Sequence, residues 1–232
     1  MIDFHTHILP KMDDGSRDLE ESVQLLKMLQ SQGVDTAAAT PHYYHERSEI
    51  DEFLERRSRS LESLQEQLRI SPELRPGAEV RFFEGISQEP DLGRLRIQGT
   101  RVLLLEMPGG RWNEYMIREV LELNESPEFQ ILLAHIERYL DAQKETVWDR
   151  LLADGVLMQS NAEHFLRFTS RRRALRMLKE GRIHLLGSDC HNISARRPMI
   201  GQAEALITQK LGADFVRKLE TSGRTLLEGK EI

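Results

Sequence analysis

Residues 2–15 of the chain read Ile-Asp-Phe-His-Thr-His-Ile-Leu-Pro-Lys-Met-Asp-Asp-Gly. The apolar start of this stretch is typical of a short buried strand, and this strand candidate ends where His5 and His7 appear. Asp13 and Asp14 follow in the next loop, and Gly15 allows a tight return. A single His-x-His pair is more often chance than a pair of metal ligands. The interpretation therefore depends on whether the same pattern recurs along the chain.

The rest of the chain alternates short apolar runs with longer amphipathic ones. The short runs predict seven strands, Ile2–His5, Val34–Thr40, Gly77–Val80, Val102–Glu106, Ile131–His135, Val156–Asn161 and Ile183–Ser188. The amphipathic runs predict helices over Asp18–Gln32, Glu49–Arg69, Asn113–Leu123, Lys144–Ala153, Ser170–Glu180 and Gly201–Leu211. This alternation predicts a parallel sheet, either an open doubly wound sheet or a closed barrel.

Side chains that bind metals lie where the strand candidates end. They are His5, His7, His42, Glu79, Glu106, His135, Asp189 and His191. A barrel brings the carboxyl ends of all its strands to one face, whereas an open sheet would hold the outermost of these residues too far apart. Three of the carboxylates are embedded in apolar runs, where an unpaired charge is costly and metal coordination would offset that cost. The sequence therefore predicts an α/β barrel with a shared metal site.

Composition narrows the functional class. The 232 residues, 39% of them hydrophobic, can supply one substantial core, and no linker-like stretch marks a boundary, so we expect a single domain over residues 1–232. A formal net charge of −6 makes a nucleic-acid partner unexpected. The sequence has no apolar run long enough for membrane insertion and no leader pattern, and its one cysteine precludes an internal disulfide. We expect a cytoplasmic protein.

As an ordered set, the polar motifs resemble those of the PHP (polymerase and histidinol phosphatase) superfamily. Within it they are similar to the bacterial polysaccharide-locus tyrosine-protein phosphatases of the CpsB/YwqE type. The matching motifs are Asp3-Phe-His5-Thr-His7, Asp13-Asp14-Gly15, Thr40-Pro-His42, Gly77-Ala-Glu79, Leu105-Glu106, Ala134-His135-Ile-Glu-Arg138-Tyr139, Gly187-Ser-Asp189-Cys-His191-Asn and Arg197-Pro198. The resemblance covers nearly the whole chain and implies a distorted (β/α)₇ TIM-like barrel, the PHP fold.

The resemblance also implies the composition of the site. One ion would be held by His5, His7, Glu79 and Asp189, a second by Glu79, Glu106 and His135, and a third by Asp14, His42 and His191. It further assigns Arg138, Arg197 and Asp189 to the active site. Two or three Mn²⁺ ions are expected from the resemblance, while nitrogen and oxygen donors also suit Fe, Zn or Co.

The activity implied by the resemblance is metal-dependent hydrolysis of phosphotyrosine on the tail of a bacterial tyrosine kinase that controls capsule or exopolysaccharide assembly. Two ions about 3.5–4 Å apart would activate a water and neutralise the phosphoryl oxygens. Two other functions are compatible with the same fold. One is a phosphatase of histidinol phosphate or another small molecule, and the other is a non-catalytic metal-binding regulator.

A cysteine-based mechanism is the rival to metal chemistry. Residues Cys190 to Arg196 have the C-x₅-R spacing of cysteine-dependent phosphatases. The intervening residues contain no glycine to let backbone amides close around a phosphate, and Asp189 would raise the pKa of the thiol. We therefore interpret the spacing as accidental.

Overall fold

The computed structural model describes residues 1–65 and 72–232. Within these ranges the strands are β1 (Ile2–Thr6), β2 (Thr36–Ala39), β3 (His42–Tyr43), β4 (Glu73–Pro76), β5 (Glu79–Arg81), β6 (Val102–Glu106), β7 (Gln130–Leu133), β8 (Leu157–Asn161) and β9 (Leu185–Gly187). The α-helices are α1 (Leu19–Ser31), α2 (Ile50–Gln65), α3 (Glu114–Glu125), α4 (Glu145–Ala153), α5 (Ala162–Leu166), α6 (Arg171–Lys179), α7 (Ile200–Leu211) and α8 (Ala213–Leu227).

All strand pairs are parallel, in the orders β1-β2-β4 and β3-β5-β6-β7-β8-β9. β2 lies within the predicted strand Val34–Thr40, whereas β3 follows Pro41, which has no amide hydrogen to donate, and was not predicted. β5 overlaps the predicted strand Gly77–Val80, whereas β4 before it was not predicted. All seven predicted strands are thus present, and β3 and β4 are two further short strands.

The two edges of the curled sheet meet beside the predicted site. The amide of Asp189 donates to the carbonyl of His5 at 2.8 Å, and the amide of His7 donates to the carbonyl of Cys190 at 3.0 Å. Thr6 and Cys190 also form a parallel bridge. The last strand position is therefore joined to the first. This confirms the expected distorted barrel and excludes the open sheet.

Both faces of the sheet are apolar at the amino ends of the strands. In β6, Leu103 and Leu105 belong to a large cluster that includes the helices, whereas Val102 and Leu104 belong to a smaller cluster on the opposite face. This alternation is typical of a parallel sheet covered on both sides. Glu79 pairs in register with Leu104, and Glu106 lies two residues beyond it. The face of the smaller cluster therefore turns polar at the carboxyl ends of the strands.

The predicted helices are present with small shifts at their ends. Asp18, where the predicted helix begins, caps α1 by accepting a hydrogen bond from the amide of Glu21 at 2.9 Å. Residues 66–69 of the predicted helix Glu49–Arg69 lie outside the described residues. No helix in the described ranges combines the length and apolarity needed to cross a bilayer.

Two helices, α5 and α8, were not predicted. α5 has only five residues, so it shows little periodicity. α8 contains Gly223, a poor helix former. A Cβ at this position would lie 2.8 Å from Cε2 of Phe4, so close packing of α8 against β1 explains the glycine.

Candidate metal centre

Nine sequence-predicted residues lie together at the carboxyl ends of the strands. β1 and the loop after it supply His5, His7 and Asp14, β3 supplies His42, β5 and β6 supply Glu79 and Glu106, and the turns after β7 and β9 supply His135, Asp189 and His191. The side chains of His5, His7, Glu79 and His135 are 0% exposed, whereas that of Asp14 is 66% exposed. The cluster is therefore buried on one side and open at Asp14.

Glu79 lies at the centre of the cluster. Its Oε2 atom is 3.2 Å from Nε2 of both His5 and His7. The same oxygen is 2.9 Å from Nδ1 of His42, and Oε1 is 2.7 Å from Nε2 of His135. One carboxylate thus faces four imidazole nitrogens, an arrangement suited to bridging two cations.

The spacing of the donors fits metal coordination. The Nε2 atoms of His5 and His7 are 3.0 Å apart, and Oδ1 of Asp189 lies 3.6 and 3.4 Å from them. Two nitrogen ligands with bonds of about 2.1 Å at right angles would be about 3 Å apart. On the outer side, Oδ1 of Asp14 is 3.5 Å from Nε2 of both His42 and His191.

Several buried polar atoms in the cluster have no hydrogen-bond partner among the described residues. They are Oε2 of Glu79, Oε2 of Glu106, Nδ1 of His42 and Nε2 of His191; Oε2 of Glu79 and Nδ1 of His42 lie 2.9 Å apart but not in hydrogen-bond geometry. Burying such groups without a partner costs free energy, and a bound cation would remove that cost for all four. The donor set, imidazole nitrogen and carboxylate oxygen, is one that divalent metals accept. The residues therefore fit a metal cofactor.

The second ring nitrogen of four histidines has a partner that orients the ring. These contacts are His5 Nδ1 to Gln159 Oε1 at 3.2 Å, His7 Nδ1 to Asp13 Oδ2 at 2.7 Å, His135 Nδ1 to Tyr139 Oη at 3.3 Å, and His191 Nδ1 to Asp189 O at 2.9 Å. Such contacts fix the tautomer and present the Nε2 lone pair to a metal.

Asp13 and Gln159 were not among the residues predicted for the site. Asp13 lies beside the predicted Asp14, and Gln159 is a polar residue inside the otherwise apolar start of β8, so both signals were present in the sequence. Gln159 Oε1 also accepts from the amide of His135 at 2.7 Å. Gln159 thus orients His5 and His135, and Asp13 orients His7, although an Asp13 oxygen also lies close enough to Asp14 and His42 to share a metal with them.

Charge favours the anionic form of the central carboxylates. Burial alone would raise the pKa of Glu79, but the surrounding imidazoles, His5 foremost, hold that pKa well below its usual range. Burial likewise opposes ionisation of Asp189, and His5 and His7 lower its pKa well below the usual value. Both residues are therefore available as anionic ligands near neutral pH.

Two members of the cluster have strained backbone conformations. His135 has φ 33° and Asp189 has φ 51°, in the left-handed region that non-glycine residues seldom adopt. Such strain is retained mainly at functional sites. A Cβ at Gly187 would lie 2.6 Å from Cβ of His5 and 2.7 Å from Nε2 of Gln159, so this glycine leaves room for both side chains.

The arginines beside the cluster differ in their contacts. Nη2 of Arg138 donates to Oδ2 of Asp189 at 2.6 Å, and Nη2 of Arg196 donates to Oδ1 of Asp189 at 2.9 Å. Arg197, which the sequence analysis placed in the active site, is exposed and makes no ion pair with any residue in the described ranges. It lines an adjoining cavity together with Arg138 and Arg196.

That cavity has a volume of about 660 Å³ and begins at Asp189. Asn161, also on its wall, donates from Nδ2 to Oδ2 of Asp189 at 2.9 Å. A smaller cavity of about 340 Å³ borders the other side of the cluster at Asp14, His42 and Tyr44. The cluster is thus reachable from two sides, and the larger cavity contains the arginines.

Cys190 does not behave as a nucleophile. Its side chain is 0% exposed and belongs to the hydrophobic core. Burial, with a smaller contribution from Asp3, raises the pKa of the thiol to about 12. The thiol is therefore protonated near neutral pH, in agreement with the interpretation of the C-x₅-R spacing as accidental.

Comparisons with known proteins agree with this arrangement. A family described as "Capsular polysaccharide synthesis, CpsB/CapC" matches residues 1–227. The chain is 31% identical to the putative tyrosine-protein phosphatase CapC of Staphylococcus aureus, over 100% of this chain and 93% of that protein.

Two solved structures share the fold. One is described as YwqE from Bacillus subtilis and CpsB from Streptococcus pneumoniae, metal-dependent tyrosine phosphatases; it matches with a TM-score of 0.87 at 24% identity, covering 100% of this chain and 96% of that one. A histidinol phosphate phosphatase from Lactococcus lactis matches with a TM-score of 0.56 at 14% identity, covering 90% and 92%. At these identities the likeness concerns the fold.

Proposed function

Because this chain belongs to the CpsB/CapC family, described by its role in capsular polysaccharide synthesis, we propose that it is a metal-dependent protein-tyrosine phosphatase formed by a single domain over residues 1–232. The observation that carries the proposal is the position of Glu79, whose carboxylate faces four imidazole nitrogens within 3.2 Å. This donor set lies next to a cavity lined by arginines, as hydrolysis of a phosphate ester requires. The name of the S. aureus relative supports tyrosine-protein phosphatase activity.

Three groups of residues are proposed as ligands. The first is His5, His7, Glu79 and Asp189, the second is Glu79, Glu106 and His135, and the third is Asp14, His42 and His191. Donor separations support these groups: 3.0 Å within the first, 2.7 Å between Glu79 and His135 in the second, and 3.5 Å from Asp14 to each histidine in the third. Mn²⁺ is the proposed ion, with Fe, Zn and Co as alternatives for the same nitrogen and oxygen donors.

When bound, the metal would supply an activated water and neutralise charge on the phosphoryl group. The chain's own contribution is to orient that group. Arg138 and Arg196 are held on the two oxygens of Asp189, so their remaining N–H groups can point towards phosphoryl oxygens at the cavity mouth. Arg197 is proposed to contact the substrate from the cavity wall.

Tyrosine is the favoured leaving group on chemical grounds. A tyrosine hydroxyl has a pKa near 10, so the phenolate departs more readily than an alkoxide and needs less help from an acid. We propose that the natural substrate is the phosphotyrosine-bearing tail of a bacterial tyrosine kinase in the cytoplasm. The family's description supports a link between this substrate and capsular polysaccharide synthesis.

The proposal is tested by removing and restoring the metal. Turnover of a phosphotyrosine peptide should disappear after exhaustive chelation and return with Mn²⁺, and His5→Ala should lower kcat by several orders of magnitude. Asp154→Asn is the control, since Asp154 is exposed and lies before the amino end of β8, whereas the cluster lies at the carboxyl ends of the strands. The decisive comparison is kcat/KM for a phosphotyrosine peptide, a phosphoserine peptide and histidinol phosphate. A preference for histidinol phosphate would assign the site to small molecules, and full activity of a metal-free preparation would refute metal catalysis.

A further inference from the structure

The larger cavity extends well beyond the metal centre. From Asp189 and Arg138 it continues between the helices to a region that we call the outer groove, lined by Leu140, Glu163, Arg167, Thr169, Ser170 and Arg173. The whole cavity of about 660 Å³ lies in the middle of the range of about 300–1,000 Å³ for pockets that hold complete ligands. A phosphorylated side chain at the metal centre would fill only the inner part of this cavity. The outer groove would then be free for the residues next to the phosphorylated one.

An unusually exposed aromatic residue lies in the chain between two residues that line the outer groove. Phe168 is 90% exposed, and its chain neighbours Arg167 and Thr169 both line the groove. Among the described residues, the other large hydrophobic side chains that are exposed, Ile193 and Ile232, are only 37% and 45% exposed. An exposed ring beside a groove is a feature of surfaces that bind a partner, where aromatic residues serve as anchors.

The walls of the cavity combine apolar and cationic surface. Leu140 and Met199 are apolar, and five arginines lie on the walls with four carboxylates. Arg167 pairs with Glu163 at 2.8 Å, but its side chain is 65% exposed, so its other N–H groups remain open to an acidic side chain. Arg197 makes no ion pair within the described ranges, so its charge is available to an anionic occupant. The groove therefore suits a chain that carries both a large apolar side chain and negative charge.

We propose that the outer groove holds the residues flanking the phosphorylated tyrosine, with an aromatic or large aliphatic side chain packed on Phe168 and an acidic one near Arg167. This inference rests on the proposed function, since it extends the same site to a substrate class. Continuity supports it: Arg138 and Asp189 belong both to the cavity and to the metal centre. When the phosphotyrosine of a peptide lies at the metal centre, the residues next to it would therefore lie in the outer groove.

The groove makes the enzyme selective among phosphotyrosine peptides without affecting small aryl phosphates. The test compares p-nitrophenyl phosphate with two peptides on the Mn²⁺-loaded full chain, one with leucine, phenylalanine and aspartate around the phosphotyrosine, the other with glycine and serine. The apolar, acidic peptide should have the higher kcat/KM. Phe168→Ala should lower that value about fivefold to tenfold, through KM, and leave p-nitrophenyl phosphate unchanged.

Matched variants separate this role from general surface effects. Ile232→Ala removes another exposed apolar side chain, and Arg172→Ala removes an exposed arginine that does not line the groove. Both variants should have wild-type kcat/KM for all three substrates. Arg167→Ala should lower kcat/KM for the acidic peptide only.

The proposal is overturned if Phe168→Ala leaves both peptides unchanged, or if it slows p-nitrophenyl phosphate equally. It is also overturned if light scattering shows a dimer that Phe168→Ala dissociates, because a second copy would then cover the ring. A wild-type enzyme that hydrolyses none of the three substrates with Mn²⁺ would refute the phosphatase proposal itself, and the groove with it.

Discussion

Replacing Asp13 by asparagine tests whether the contacts behind the ligands control metal binding. The Asp13 carboxylate accepts three hydrogen bonds, from His7 Nδ1 at 2.7 Å, from the amide of His42 at 2.8 Å and from the amide of Gly15 at 2.9 Å. Burial raises its pKa, but His7 and the amides of His42 and Gly15 together hold that pKa below its usual range, so the group is anionic at neutral pH. Asparagine preserves the shape and removes the charge.

The expected magnitude follows from these three bonds. Asparagine can turn its oxygen to His7 and the His42 amide, which leaves its NH₂ group facing the Gly15 amide and loses one hydrogen bond. The unpaired donors cost about 1–3 kcal/mol of folding stability. The two remaining hydrogen bonds, from His7 and the His42 amide, would then go to a neutral oxygen and be about half as strong as those to the carboxylate. Weaker support of His7 should lower metal affinity about 10- to 100-fold, or about 1.4–2.8 kcal/mol.

The assay is titration of chelated protein with Mn²⁺, followed by activity and by direct metal analysis. Asp13→Asn should shift the midpoint to higher Mn²⁺ and approach wild-type kcat at saturation, whereas Asp154→Asn, with the same change in charge, should leave the midpoint unchanged. An Asp13→Asn protein that binds metal as tightly as wild type would refute the orienting role. Loss of kcat at full metal occupancy would instead make Asp13 part of the chemistry.

Three further changes probe other parts of the structure. Cys190→Ala should keep kcat within about twofold of wild type in the phosphatase assay, because the buried thiol is protonated and takes no part in the reaction; a folded, metallated but inactive variant would require a thiolate mechanism. Gly187→Ala should reduce bound metal per chain, since the new Cβ would lie 2.6 Å from that of His5; wild-type metal content would contradict this. Burial and Arg173 lower the pKa of His164 to about 4, so its contribution to stability is complete above pH about 6.5 and is lost as the pH falls towards 4. Denaturant titrations should show a shallower pH dependence for His164→Gln, by at most about 1.4 kcal/mol per pH unit, and an equal slope would exclude His164 as the titrating group.

The fold was largely predictable because periodicity and strand-end polarity agree along the chain. Seven strand positions and six helices were expected, and the sheet is the predicted curled parallel one. β3 and β4 escaped prediction because they have only two and four residues and so show no clear apolar alternation. α8 escaped because Gly223 argues against a helix locally and makes sense only against Phe4, more than two hundred residues away along the chain.

The candidate donors were easier to find than the residues that hold them. A histidine at a strand end is visible in one segment, whereas the role of Gln159 depends on two hydrogen bonds to residues in β1 and after β7. The strained conformations of His135 and Asp189 are likewise invisible in sequence, since they result from the turns that join the strands to the next elements.

The choice between adjacent arginines shows how the loop after β9 determines function. Oδ1 of Asn192 accepts hydrogen bonds from the amides of Ser194 at 3.0 Å and Arg196 at 3.1 Å, and the amide of His191 donates to the carbonyl of Arg196 at 2.9 Å. These bonds fold the loop back, so the guanidinium of Arg196 reaches Asp189 while Arg197 is left on the cavity wall. With Arg138 on the other oxygen of Asp189, a cation lies on each side of that carboxylate. The two adjacent arginines therefore differ in position: Arg196 is held against Asp189, and Arg197 lies on the cavity wall, where we propose that it meets the substrate.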